Sequence, residues 1–282
     1  MTYTPAIEIE SWAHTRTFVA KAVAKCSGRT AYSDGDLSQT TSRLATWMLE
    51  QGDLPLTNRV AFNPVTIERF IADGLPNYAP ASRGNRRSIL LRMSETLLGD
   101  KAPRVRLAPL PPSTACAPYT EDEVAELRSW ARMSTGARRK SGLALVALGV
   151  GAGLSASEVA AVKKSDIDKQ GNEIVVNIHG SRARSVRVDG TNAEDLMLAL
   201  RGLEPTDWMF CSGRAAAGKN LVTNFVARTE TGGIAPNTQR MRATWIVGHL
   251  NRGTAVIELM RAAGVASLEA VTRYVPYAEK AA

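Results

Sequence analysis

GAGLSASEVAAVKKSDID, residues 151–168, is the stretch that decides how this chain folds. It closes an apolar run, residues 143–154, that reads as a buried helix and is too short and glycine-rich to span a bilayer. Residues 153–164 then make a turn and a further helix. Beyond them, Glu173–Ile178 and residues 185–188 read as two strands around a tight basic tip, His179-Gly180-Ser181-Arg182-Ala183-Arg184. From Asn192 the chain is helical again. Upstream, Thr120 and Glu123 form a capping box that starts a helix running through Met133.

The N-terminal part is helical too. Residues 37–50 place Leu37, Leu44, Ala45, Met48 and Leu49 near one face, with Ser33 or Asp34 as the cap. Asn63-Pro64 opens a second helix, asparagine capping and proline in the first turn, with Val65, Ile67, Phe70 and Ile71 turned inward. A third helix over Pro80–Leu98 offers Ile89, Leu90, Met93 and Leu97 to the core. It also carries Arg83, Arg86, Arg87 and Arg92 at spacings that line one side, a face suited to tracking phosphates. Residues 101–118 hold five prolines, which forbid a continuous helix and predict an extended linker. The expected organisation is a helical domain over 1–100, the linker, and a second domain over 119–282.

Composition narrows the function. The 282 residues carry a net charge of +8, divided evenly between residues 1–112 and the rest, which favours a polyanionic partner. Three isolated cysteines, with no Cys-x-x-Cys pair and no Cys/His cluster, argue against zinc and fit a reducing compartment. The N-terminus lacks the charged and apolar regions of a signal peptide. No metal or small-molecule cofactor and no membrane is expected, and a cytoplasmic, nucleoid-associated location follows.

Two stretches carry a resemblance to the tyrosine recombinases of the phage integrase family. One is Gly153-Leu154-x-x-Ser157-Glu158-Val159 with Ser165-Asp166-Ile167-Asp168. The other runs from Asn237-Thr238-Gln239-Arg240 to Tyr274. The resemblance spans roughly residues 30–277. It implies a mainly α fold: a helical, SAM-like core-binding domain, then a catalytic-type domain with a small β-hairpin. It also implies double-stranded DNA as partner, with an active recombinase or a second copy of the chain as a further one. A mobile element of bacterial or phage origin would suit the alanine- and arginine-rich composition.

The chemistry this family performs is attack of a tyrosine on a DNA phosphodiester. A phenol with a pKa near 10 needs activation, and the phosphoryl oxygens need fixed cations, for which the planar fork of arginine is suited. Carried over by residue, Tyr274 matches the nucleophile and Arg240 a phosphate-clamping arginine. The other positions depart from the pattern: Ser155 stands where the first arginine belongs, Ser181 where the hairpin lysine belongs, Asn237 and Val265 where pocket residues belong, and Met241 where many members have histidine. None of His14, His179 and His249 falls at those positions. Losing one arginine, the acid and two pocket residues leaves negligible strand exchange, since one donor alone is worth about 10²–10³ in rate. The expected function is therefore DNA binding without strand exchange, as a regulator or accessory factor of recombination or transcription. The expected contacts are Arg83, Arg86, Arg87, Arg92, Arg182, Arg184, Arg187, Arg240 and Arg242. Two alternatives stand beside it: an active recombinase using Tyr274 in an altered pocket, and a protein-interaction module on an inherited fold.

Overall fold

The computed structural model describes residues 9–278 apart from 53, 102, 104, 106, 108–114, 172, 217 and 219. The chain divides into two compact units, Met1–Ser113 and Thr114–Ala282. Most of the expected proline linker lies outside the described residues. The fold is mainly α with one small antiparallel sheet, as the sequence predicts.

The first unit consists of α1 (Ile9–Cys26), α2 (Asp34–Gln51), α3 (Asn58–Ala61), α4 (Pro64–Asp73) and α5 (Pro80–Leu98). Ser33 caps α2, its hydroxyl accepting from the Asp36 N–H at 3.2 Å, and Asn63 caps α4, accepting from the Val65 N–H at 3.0 Å. Sequence reading missed α1, although Val19, Ala22, Val23 and Cys26 line its buried side. Helix α2 packs on α1, α4 and α5. Its hydroxyls Ser38, Thr40, Thr41 and Ser42 are therefore buried beside Leu44 and Met48, and Thr41 donates to the Met93 sulfur at 3.3 Å. Leu49 and Val65, expected in the core, are exposed: each lies just past the edge of its helix's apolar stripe.

The second unit is built on α7 (Gly136–Gly151), buried from Ser141 onward. Around it lie α6 (Glu121–Met133), α8 (Ala156–Ala161), α9 (Gly190–Leu200), α10 (Leu221–Ala227), α11 (Thr238–Asn251), α12 (Val256–Ala263) and α13 (Glu269–Thr272). Thr120 and Glu123 do form the capping box of α6. The sheet has three strands where two were expected: β1 (Ile167–Gln170), β2 (Glu173–Ile178) and β3 (Arg184–Val188), in that order. Val176 pairs with Ile167 on one side and Val186 on the other. Arg184 belongs to β3, so its side chain is fixed by the sheet and is not part of the tip.

Two glycines explain how closely α7, α11 and the turn after α7 approach one another. A Cβ on Gly149 would lie 2.5 Å from the Met241 sulfur. Gly153, at φ +62°, takes the ring of Trp245 directly against its Cα. No described helix is long and apolar enough to cross a membrane.

Candidate nucleic-acid interface

Ser155 sits at the N-terminus of α8, and its backbone N–H and hydroxyl both donate to Oε2 of Glu158 at 2.8 Å. The other carboxylate oxygen of Glu158 accepts from Arg184 at 2.7 Å, with Arg182 3.6 Å away. Glu158 and Arg184 are buried; Arg182 is half-exposed. Burial alone would push the Glu158 carboxyl up. The hydrogen bonds from Arg184 and Ser155 and the Arg184 charge overcome it and hold the pKa at about 2. Arg184 is further tied to the Ala262 carbonyl at 2.7 Å and lies against Gly264, where a Cβ would meet its guanidinium at 2.7 Å. Its role is therefore to fasten β3 to α8 and α12. Arg187 pairs with Glu173 at 3.0 Å on the exposed side of the sheet.

Helix α11 carries the second matched stretch. Asn237 caps it, accepting from the N–H groups of Gln239 and Arg240 at 2.9 and 3.2 Å. Arg240 and Arg242 are two residues apart, so they leave the helix on nearly opposite sides, about 200° apart at 3.6 residues per turn. Arg240 lies 3.9 Å over the Tyr119 ring, pairs with Glu123 at 2.7 Å and donates to the Pro118 carbonyl at 3.1 Å. The residue expected to clamp phosphate thus holds α11 to the start of α6. Arg242 turns the other way, into a pocket where it donates to the carbonyls of Gly153 and Ala263. Burial lowers the Arg242 pKa, Glu158 opposes that shift, and the nearby charges of Arg184 and Arg182 add to it; the Tyr274 phenol is close enough to bear on it as well.

Tyr119 anchors this arrangement. Its hydroxyl donates to the Ala235 carbonyl and accepts from the Asn237 N–H, each at 2.9 Å. Tyr119→Phe leaves both backbone groups unpaired at a part-buried site. The expected cost is about 2 kcal/mol, a fall in Tm of roughly 4–8 °C. A Tm within 1 °C of the parent would show that these bonds do not hold the N-terminus of α11.

A cleft of about 610 Å³ opens between the start of α8, the hairpin tip, α10 and the start of α11. Arg182 and Arg242 are its two cations, and Ser155, Ser157, Thr238 and Gln239 add hydrogen-bonding groups. Asn220, with a left-handed backbone at φ +59°, and Thr223 complete the wall. Sequence reading gave no lining role to Ser157, Thr238 and Gln239, although they stand in the two matched stretches, and it missed Asn220 and Thr223, whose spacing carries no signal. A neighbouring cavity of about 260 Å³ is lined by Ser181 and His179, whose ring lies 3.0 Å from Asp166. Tyr274 is buried near Arg242. Met241 is buried against Gly149, and Val265 packs on the core after the left-handed Gly264. Trp245 is in the core. Trp208 is only half-buried, with Arg214 4.2 Å and Lys163 4.9 Å from its ring.

In the first unit the arginine face is largely occupied. Arg87 forms a two-pronged pair with Glu68 at 2.6 and 2.8 Å. Arg83 donates to the carbonyls of Tyr78 and Pro76, and Arg86 stacks 4.8 Å over the Tyr78 ring. Arg92 pairs with Glu95 at an exposed site. Three of these four side chains brace the turn before α5 and its contact with α4.

No family model matches the chain, and no curated protein does. Solved structures do. The XerH site-specific recombinase bound to palindromic difH substrate, a post-cleavage complex, aligns at 15% identity over 86% of this chain and 75% of that one, TM-score 0.64. A lambda integrase dimer bound to a COC′ core site aligns at 14% identity over 92% and 94%, TM-score 0.63. The Tn1549 transposon integrase in complex with transposon right end DNA aligns at 17% identity over 93% and 95%, TM-score 0.60. This chain has the tyrosine recombinase and integrase fold.

Proposed function

We propose that this protein binds duplex DNA through the cleft between α8, the hairpin tip and α11, and serves recombination or transcription as a DNA-binding factor without strand exchange. The observation that carries the reading is the pair Arg182 and Arg242 lining one cleft in this fold. Structures that share the fold were solved on DNA. The phosphate-clamping role first given to Arg240 passes to Arg242 in this reading. Arg182, on a hairpin tip, supplies the second fork. The loss of strand exchange rests on Ser155, where the resemblance asks for arginine, and on Ser181, where it asks for the hairpin lysine. Ser155 is engaged at the start of α8, its hydroxyl donating to Glu158.

The test is selection from a random duplex library at two salt concentrations, followed by titration of Arg182→Ala. Expected are a defined sequence motif, a 10- to 100-fold weaker complex for the variant (about 1.5–3 kcal/mol for one charged hydrogen-bond set), and a log–log salt slope shallower by about 0.9. Sequence-blind binding indifferent to Arg182 would move the protein to the interaction-module reading. One observation favours the active alternative: Arg242 and Tyr274 are electrostatic neighbours. A nicked suicide substrate built on the selected motif separates the two. The binding reading predicts no covalent 3′-phosphotyrosyl adduct, and an adduct lost in Tyr274→Phe would establish the enzyme.

A further inference from the structure

Away from the cleft, a cavity of about 320 Å³ lies where the start of α7 meets α10. Arg138 enters it from the first turn of α7, and Arg228, the C-terminal cap of α10, from the other side. Both residues are exposed, and among the described residues neither guanidinium has a hydrogen bond or an ion pair. Among the described residues no carboxylate lines the cavity; its other polar contributors include the Asn224 amide. Burial raises the pKa of the neighbouring Cys211 thiol, so it adds no negative charge at neutral pH.

Two unneutralised guanidinium groups around one cavity repel each other. The helix below them compounds the repulsion. Arg138, Arg139 and Lys140 follow directly on the start of α7, at the positive end of the helix dipole, and the first turn holds no acid. Helix α6 of the same unit opens on Glu121, Asp122 and Glu123, the stabilising arrangement. Nor can α7 shift to relieve the repulsion, because it is buried from Ser141 to Gly151. Two exposed guanidinium groups facing one cavity, at a helix start with no acid in its first turn, offer a place for an anion that arrives from outside.

We infer that this cavity is a second phosphate site for the DNA backbone, with Arg138 and Arg228 as its forks and Asn224 as an added donor. The inference rests on the DNA-binding reading and places an anchor outside the cleft. Leu221 borders both cavity and cleft, so α10 joins them.

The experiment is titration of the selected duplex with the full-length Arg138→Ala/Arg228→Ala double variant at several salt concentrations. The expected result is a salt slope shallower by about 0.9 and binding weaker by about 10-fold. The free double variant should melt no lower than the parent, and Arg138→Glu about 1–3 °C higher, because repulsion at the helix start is relieved. The control Lys169→Ala/Arg201→Ala removes two exposed cations elsewhere and leaves the slope unchanged. An unchanged slope in the double variant overturns the site, as does an equal loss in the control. Inorganic phosphate separates two sources of the same chemistry. If it raises the Tm of the parent and not of the double variant, while the DNA slope stays at the parental value, the cavity serves a free phosphate compound and the backbone assignment fails. Binding that depends on Arg182 and is indifferent to Arg138 and Arg228 sinks this site alone; absence of any DNA binding sinks the reading beneath it.

Discussion

Gly153→Ala is expected to destabilise the protein by about 4 kcal/mol and to lower Tm by roughly 8–16 °C. Two effects add. At φ +62° a side chain is strained even in open space, by about 1–2 kcal/mol. The space is also filled, because a Cβ there would lie 2.4 Å and 2.5 Å from two ring atoms of Trp245. The indole has nowhere to retreat. It is buried, and the His249 ring sits 4.4 Å behind it. Urea unfolding of the purified variant checks this, with the midpoint falling and the slope unchanged. A midpoint equal to the parent's would mean that α7 and α11 can part at this point, against the packing described above.

Glu158 gives the second large effect. Glu158→Ala strips the buried Arg184 of its carboxylate partner, the only one among the described residues, a change worth about 3–5 kcal/mol for a buried pair. The acid form of the wild-type protein should show the same dependence. With a pKa near 2 in the folded protein and an ordinary value near 4.5, the group contributes about 3 kcal/mol. The folded pKa is the lower of the two. The contribution is therefore complete above pH ~4.5 and is lost as pH falls toward 2. Glu158→Gln should be less stable than wild type at neutral pH and nearly equal to it near pH 2, when unfolding is followed by circular dichroism across that range. Parallel stability curves for the two proteins would show that Arg184 does not depend on this carboxylate.

Local signals were legible in the sequence. Ser33, Asn63-Pro64 and Thr120 with Glu123 start helices where their spacing says they should, because a cap is made with neighbours two or three residues away. The resemblance to tyrosine recombinases led to the right fold through a handful of positions, at a level of identity where composition is silent. Strand β1 escaped notice because Ile167–Gln170 is an edge strand with little burial, so no alternation marks it. The buried hydroxyls of α2 escaped because a helix enclosed on several sides has no polar face to read. Arg240 and Arg242 differ by two residues in the chain. Only the position of the helix axis says which of them meets the cleft and which meets Tyr119. The arginines of α5 look like a solvated basic face until Glu68 and Tyr78 are brought against them.

The contacts of Ser155 and Asn237 have a consequence for the history open to this protein. Asn237 supports a helix end, and removing such a cap costs about 1 kcal/mol, while the Ser155 hydroxyl holds the Glu158 carboxylate. Placing arginine at 155 takes away the hydroxyl partner of Glu158 and sets a third guanidinium beside Arg182 and Arg242. Placing histidine at 237 takes away the acceptor of two backbone N–H groups. Neither step alone returns a working pocket, since cooperating groups act as a unit. On the reading proposed above, a road back to strand exchange descends in stability before it rises in activity. On that reading, the asymmetry would keep the protein a binder of DNA even where the ability to cut it would be useful.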